Sequence, residues 1–246
     1  MSIFRFKKFE VHQERSSQKI GTDGVLLGAW CSKDQNPYKI LDIGAGTGLI
    51  SLMLAQRFSR ADIEAIEIDD DAFEEATLNF ENSPWADRMF CYHASFQEFY
   101  EQEDEDLDRY DLIVSNPPFF TGTPDPELTG QARSIARFED ALPFEELIYG
   151  IYKLLEIDGV FACIIPADRE DEFKKIAAHF QLKNSRATYI KGTMDSKVKR
   201  CLLEFRFRES ENLPKNLVAN TLILEKKRHL YTKDAQELLK DFYLKL

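Results

Sequence analysis

Cysteine is scarce in this 246-residue chain and nowhere paired. Cys31, Cys91, Cys163 and Cys201 stand far apart, with no CxxC and no histidine nearby at ligand spacing. That excludes a zinc ribbon or a redox dithiol and leaves small buried or half-buried thiols. Histidine is as thinly spread: His12, His93, His179 and His229 are isolated, so no metal site and no catalytic relay is assigned to them. No apolar run reaches membrane-spanning length, and the first twenty residues are too charged for a secretory signal, which predicts a cytoplasmic protein. Repeats and low-complexity linkers are missing, and the length suits one domain over 1–246, with an extension at 1–37, a core at 38–208 and a C-terminal strand and helix at 209–246. A basic balance is lacking too. The net charge of −11 argues against a non-specific nucleic-acid coat.

That average hides an asymmetry. EQEDEDLDRYD (101–111) holds seven acids against one Arg, whereas 174–208 holds ten Lys/Arg against two acids. EKKRH (225–229) adds a basic knot, and Arg5, Lys7 and Lys8 open the chain. Each cluster alone reads as a solvated face; together they predict an anionic partner on one side.

From residue 38 apolar β-rich runs alternate with helical stretches. Strands are predicted at 38–44, 62–69, 89–95, 110–116, 160–166, 186–192 and 200–207, with helices at 48–58, 71–82, 143–159 (stopped by Gly159) and 169–180. A further strand is possible at 217–224, and a helix runs from the N-cap Thr232 through Phe242. This is an α/β pattern: a mainly parallel seven-stranded sheet with helices on both faces, whose ligands bind at the carboxyl ends of the strands.

LDIGAGTG (41–48) ends the first strand and opens the first helix. Gly44 and Gly46 let a ligand approach the main chain closely. A dinucleotide fingerprint needs glycine at 49, where Leu49 stands, so nicotinamide binding is the weaker candidate. Glu67, near the end of the second strand, can accept both hydroxyls of an unphosphorylated ribose, with a solvated strand end as the alternative. Asp42 is unhelpful to a pyrophosphate and suits an ammonium or sulfonium group. The pair favours S-adenosylmethionine over NAD. Ser95 and Phe96, after the third strand, fall where an adenine would lie, with Phe96 expected to pack against it.

SNPPFF (115–120) follows the fourth strand. The prolines stiffen the turn, hold Asn116 extended and bring no competing N–H. The Asn116 side-chain oxygen and the Pro117 carbonyl then suit the two hydrogens of a planar amine, while Phe119 offers a stacking face after Pro118. A merely rigid turn is the alternative. TGTPDPELTG (121–130), with two Gly and two Pro, reads as a mobile loop.

With both motifs present, the chain resembles class I methyltransferases that modify planar amines through (N/D)PP(Y/F). NPPF is shared by adenine N6, ribosomal-RNA guanine N2 and release-factor glutamine enzymes. FRFKKFEVHQERSSQKIGTDGVLLGAW (4–30), NSPWADR (82–88), ARF (136–138) and the KR-x-LLEF pattern (199–205) are similar to the bacterial tRNA1(Val) (adenine(37)-N6)-methyltransferase family, a likeness over nearly the whole chain. Departures are Phe119 where many members have Tyr, and Ser95 where an acid is common. The resemblance implies a Rossmann-like fold and methyl transfer from S-adenosylmethionine to the N6 amine of an adenine in a tRNA anticodon loop; a monomer without metal is expected beside it. It implies that Lys19, Thr22 and Asp23 lie near cofactor and substrate, although a helix cap at Thr22 is an equal reading. Arg133, Arg137, Lys191, Lys197, Lys199 and Arg200 are the candidates for tRNA phosphate contacts. The guanine and glutamine enzymes fit less well on layout, because only residues 1–37 precede the first strand.

Overall fold

Period-two alternation sorts the core residues onto two faces of one sheet. In VFACII, Val160, Ala162 and Ile164 join one apolar cluster, and Phe161, Cys163 and Ile165 join the other. A sheet covered on both faces needs near-continuous apolar strands, and these sequences supply them. The computed structural model describes residues 3–16, 19–32, 35–101, 109–117 and 142–245.

The central strands are β3 (Lys39–Ile43), β4 (Asp62–Glu67), β5 (Met89–His93), β6 (Tyr110–Ser115), β7 (Leu155–Pro166), β8 (Leu182–Lys191), β9 (Val198–Phe207) and β10 (Val218–Ile223). Their order is β10-β8-β9-β7-β6-β3-β4-β5, and only β9 pairs antiparallel to its neighbours. The sheet therefore has eight strands where seven were expected. β10 extends it by pairing in parallel with β8, covering an edge that would otherwise expose its backbone groups. Its signal was weak because Val218–Thr221 are exposed and only Leu222 is buried.

Helices α1 (Thr22–Trp30), α2 (Leu49–Arg57) and α3 (Asp70–Glu81) contribute to one cluster. Helices α4 (Phe96–Glu101), α5 (Phe144–Leu154) and α6 (Glu170–His179) contribute to the other. α7 (Lys233–Leu239) joins the first face, capped as expected by Thr232, whose hydroxyl accepts from Ala235 N–H at 3.2 Å. α5 ends at Leu154 rather than at Gly159, and the chain passes directly into β7. Gly159 instead serves a bulge: the register slips between Tyr110 and Leu112, and a Cβ at 159 would meet the Tyr110 carbonyl at 2.9 Å.

A hairpin absent from the sequence reading, β1 (Ile3–Arg5) with β2 (Glu10–His12), packs Phe6 and Phe9 into the core. Phe6 bridges to Tyr243, and Lys7 N–H donates to the Phe242 carbonyl at 2.8 Å. No helix among the described residues is long and apolar enough to cross a membrane.

β3 lies between β4 and β6, so chain order reverses there. In open α/β sheets the carboxyl ends on either side of that switch form the ligand crevice.

Candidate active site

The glycine loop leaves β3 at this switch point. Gly44, Gly46 and Gly48 have φ of 71°, 57° and 76°. A Cβ at Gly44 or Gly46 would meet nothing within 4 Å, so both present bare backbone to open space. Gly48 is needed for a different reason, since a Cβ there would strike Phe80 Cε1 at 2.5 Å. The cleft is bordered by Gly44–Thr47, by Asn116, by Lys19–Gly24 and by Arg200.

Glu67 secures the loop from β4. Its Oε2 accepts from Gly46 N–H at 2.7 Å, and Oε1 accepts from Ile68 and Asp69 N–H at 2.9 Å each. Burial raises its pKa above the ordinary carboxylate value despite these donors. Three of its acceptor positions thus serve the chain, which revises the simple expectation that both oxygens stand ready for a ribose.

Asp42 is fully buried and lies off the cleft wall. Oδ2 accepts from Ser51 N–H (3.1 Å) and Oγ (2.7 Å), while Oδ1 has no partner. Burial pushes its pKa up from 3.8 to about 6; the Ser51 bonds oppose the rise and the charge of Glu67 adds to it. Neither Asp42 nor Glu67 borders the cleft, but both are buried beside the glycine loop whose bare backbone does, a placement of acids that fits a cationic cofactor. A proton held by the folded state up to about pH 6, and by the unfolded chain only to about 3.8, makes folding less favourable as pH rises through that window. The Asp42→Asn variant is therefore expected to match wild type in unfolding free energy near pH 4 and to exceed it by roughly 2–3 kcal/mol at pH 7.5. Urea titrations at the two pH values check this, and an equal gap at both would remove Asp42 as the cause.

Asn116 follows β6 on the cleft wall, and Pro117 is buried behind it. The Asn116 Oδ1 is buried without a hydrogen-bond partner among the described residues. A buried amide oxygen normally finds a donor within the chain, so an orphan at a cleft points to a ligand donor. Pro118 and Phe119 lie outside the described residues, as do Phe120, Arg133, Arg137 and the 121–130 segment.

The N-terminal wall is held by two polar residues on the buried stripe of α3. Glu75 accepts the main-chain N–H groups of Glu14, of Arg15 (2.9 Å) and of Ser16 (2.8 Å). Asn79 bonds His12 through N–H (2.8 Å) and carbonyl (2.9 Å) and also donates to the Thr47 carbonyl of the glycine loop at 2.9 Å. The sequence reading missed both, although the spacing Ala72-Glu75-Ala76-Asn79-Phe80 marks polar groups on an inward face. Lys19 borders the cleft, but its ammonium is taken by the carbonyls of Gln13, Glu14 and Ser16 at 2.5, 3.2 and 3.0 Å. Thr22 also borders it; the cap position is Gly21, so the capping alternative for Thr22 fails. Asp23 pairs with Arg200 Nε at 2.7 Å, which brings Arg200 into the cleft wall rather than onto an outer RNA face.

Ser95 and Phe96 need correction. Ser95 forms a capping box with Glu98: its N–H and Oγ donate to Glu98 Oε2 at 2.9 and 2.8 Å, and its Oγ accepts from Glu98 N–H at 3.1 Å. Phe96 is 4% exposed, edge-on to Tyr100 at 5.2 Å, in the space that a Cβ at Gly150 would fill. Its ring is core and offers no free face to an adenine. Lys197 and Lys199 are exposed, whereas Lys191 Nζ donates to the Met194 carbonyl.

Residues 20–137 match the methyltransferase small domain family. Relatives named tRNA1(Val) (adenine(37)-N6)-methyltransferase include those of Flavobacterium psychrophilum (50% identical, 99% of this chain and 100% of the relative) and Trichodesmium erythraeum (43%, 98% of each). Among solved structures, a predicted O-methyltransferase from Agrobacterium tumefaciens shares the fold at TM-score 0.67 and 18% identity, covering 89% of this chain and 96% of the other. P. horikoshii TYW2 in complex with MeSAdo does so at 0.56 and 15%, covering 83% and 70%. A cleft at the sheet's switch point, walled by the glycine loop, Asn116 and the N-terminal segment, and relatives half identical along their full length lead to one assignment: this chain belongs to the tRNA1(Val) (adenine(37)-N6)-methyltransferase family.

Proposed function

We propose that the protein transfers a methyl group from S-adenosylmethionine to the N6 amine of an adenine in a tRNA anticodon loop, the adenine 37 of tRNA1(Val) for which its relatives are named. The observation that carries this reading is the buried, unpartnered Oδ1 of Asn116 on the cleft wall. The cofactor supplies an electrophilic methyl on sulfur. Gly44 and Gly46 would give it bare backbone to lie against, and Asp42 and Glu67, buried beside that loop, would favour its cationic groups when ionised. Asn116 Oδ1 accepts one hydrogen of the target amine and the Pro117 carbonyl accepts the other. Held so, the amine would direct its lone pair at the methyl, the pair of the broken S–C bond would stay on the departing thioether, and the nitrogen's surplus proton would pass to water, so the gain is orientation plus electrostatics without a strong base. Phe119 supplies the stacking face, worth about 1–3 kcal/mol for an extruded base. Loop bases are the least costly to unstack, which suits an anticodon-loop target and a cytoplasmic enzyme.

Incubation with radiolabelled S-adenosylmethionine and, in parallel, bulk tRNA, ribosomal RNA and protein, followed by nucleoside analysis, tests the reading. N6-methyladenosine in tRNA is the expected product. Label in protein glutamine or as N2-methylguanosine in ribosomal RNA would keep the amine chemistry and overturn the substrate.

A further inference from the structure

The basic knot at 225–229 is unused by the site just described, and the fold gives it a position. β10 ends beside β8, with Ile223 opposite Lys191. The chain then turns into a hairpin, β11 (Glu225–Lys227) with β12 (Leu230–Tyr231). This hairpin docks on the β8–β9 turn through two main-chain bonds, Leu224 N–H to the Lys191 carbonyl and Glu225 N–H to the Gly192 carbonyl, each 2.9 Å. Because β6, β7, β8 and β10 run parallel, both turns lie on the same edge of the sheet as Asn116.

Lys197 in the β8–β9 turn and Lys199 at the start of β9, with Lys226, Lys227 and Arg228 in the β11–β12 hairpin, are all exposed. None has a carboxylate partner among the described residues, although elsewhere Arg5, Lys174, Arg186 and Lys240 are paired with acids. In a chain of net charge −11, unpaired cations gathered on the active-site edge are a directed feature. Four interstrand steps separate β6 from β10, placing the hairpin roughly 19 Å from the strand that ends at Asn116. That exceeds the reach of one nucleotide and suits the helical stem that carries the target loop.

We infer that the two basic turns form a docking surface for the phosphate backbone of the RNA stem next to the modified loop, holding the substrate without reading its sequence. This rests on the tRNA reading above. The test is the triple variant Lys226→Glu/Lys227→Glu/Arg228→Glu, with Lys183→Glu, at the opposite end of β8, as control. The triple variant is expected to raise KM for tRNA at least about tenfold near 0.1 M salt and to flatten the dependence of log binding on log salt by about three, one for each lost phosphate contact. Its kcat at saturating tRNA, its melting temperature and its cofactor affinity stay at wild-type values, and the control stays unchanged throughout. A wild-type KM and salt slope in the triple variant would overturn the docking surface while leaving the function standing. Fluorescence anisotropy with labelled tRNA, read apart from turnover, decides the docking even if the methyl acceptor proves to be another molecule: equal binding by wild type and triple variant refutes it.

Discussion

Asn116→Ala is expected to lower turnover by about a thousandfold without reducing melting temperature, and with cofactor affinity within about twofold of wild type. Because the buried Oδ1 has no partner among the described residues, its removal orphans no donor there and takes away an unsatisfied polar atom. The fold should be unaffected or slightly firmer. A purely structural asparagine would give the opposite pattern, a loss of stability with catalysis following it down. Asn116→Asp keeps an acceptor in place and is expected to retain part of the activity. Single-turnover methylation alongside thermal denaturation separates the cases, and an alanine variant at wild-type rate would sink the assigned role.

Glu75→Ala is expected to cost about 3 kcal/mol of stability and to raise KM for both substrates. The carboxylate is 3% exposed and gathers the consecutive main-chain N–H groups of residues 14–16. Truncation orphans all three, at about 1–3 kcal/mol for each one that water cannot reach. The segment they anchor continues into Lys19–Gly24, the wall of the cleft, so loosened anchoring should appear at the site as well. Glu75→Gln retains acceptor capacity at one oxygen and should fall between. Urea unfolding and steady-state kinetics together check this; a stable variant with unchanged KM would show that the segment is held by its other contacts.

How far the sequence speaks depends on the range of the interaction. Strands β3, β4, β6 and β7, the glycine loop and the stiff turn after β6 are legible because alternation, glycine spacing and proline act over a few residues. Ser95-x-x-Glu98 was equally local and would have predicted the capping box had the expectation of a cofactor wall not taken precedence. Arg200 was out of reach, since its partner Asp23 lies 177 residues away and charge clustering says nothing about pairing. Phe96 failed for the same reason: nothing beside it in the chain announces that Gly150 leaves room for its ring. Gly159 fits a helix stop and a bulge equally well, and only the neighbouring Tyr110 decides between them.

The bridge between Phe6 and Tyr243 also sets an order of events during synthesis. The hairpin that carries Phe6 is translated well before the surface formed by residues 242 and 243 that receives it. The sheet can assemble progressively as strands emerge, because each parallel unit needs only its neighbours. The hairpin's bonds to Asn79 can form early, but those to residues 242 and 243 must wait. A nascent chain still short of α7 would therefore hold a nearly finished sheet with Phe4 and Phe6 unsheltered by Tyr243. The hairpin is thus tied down in two stages, first to α3 and only later to the segment that follows α7.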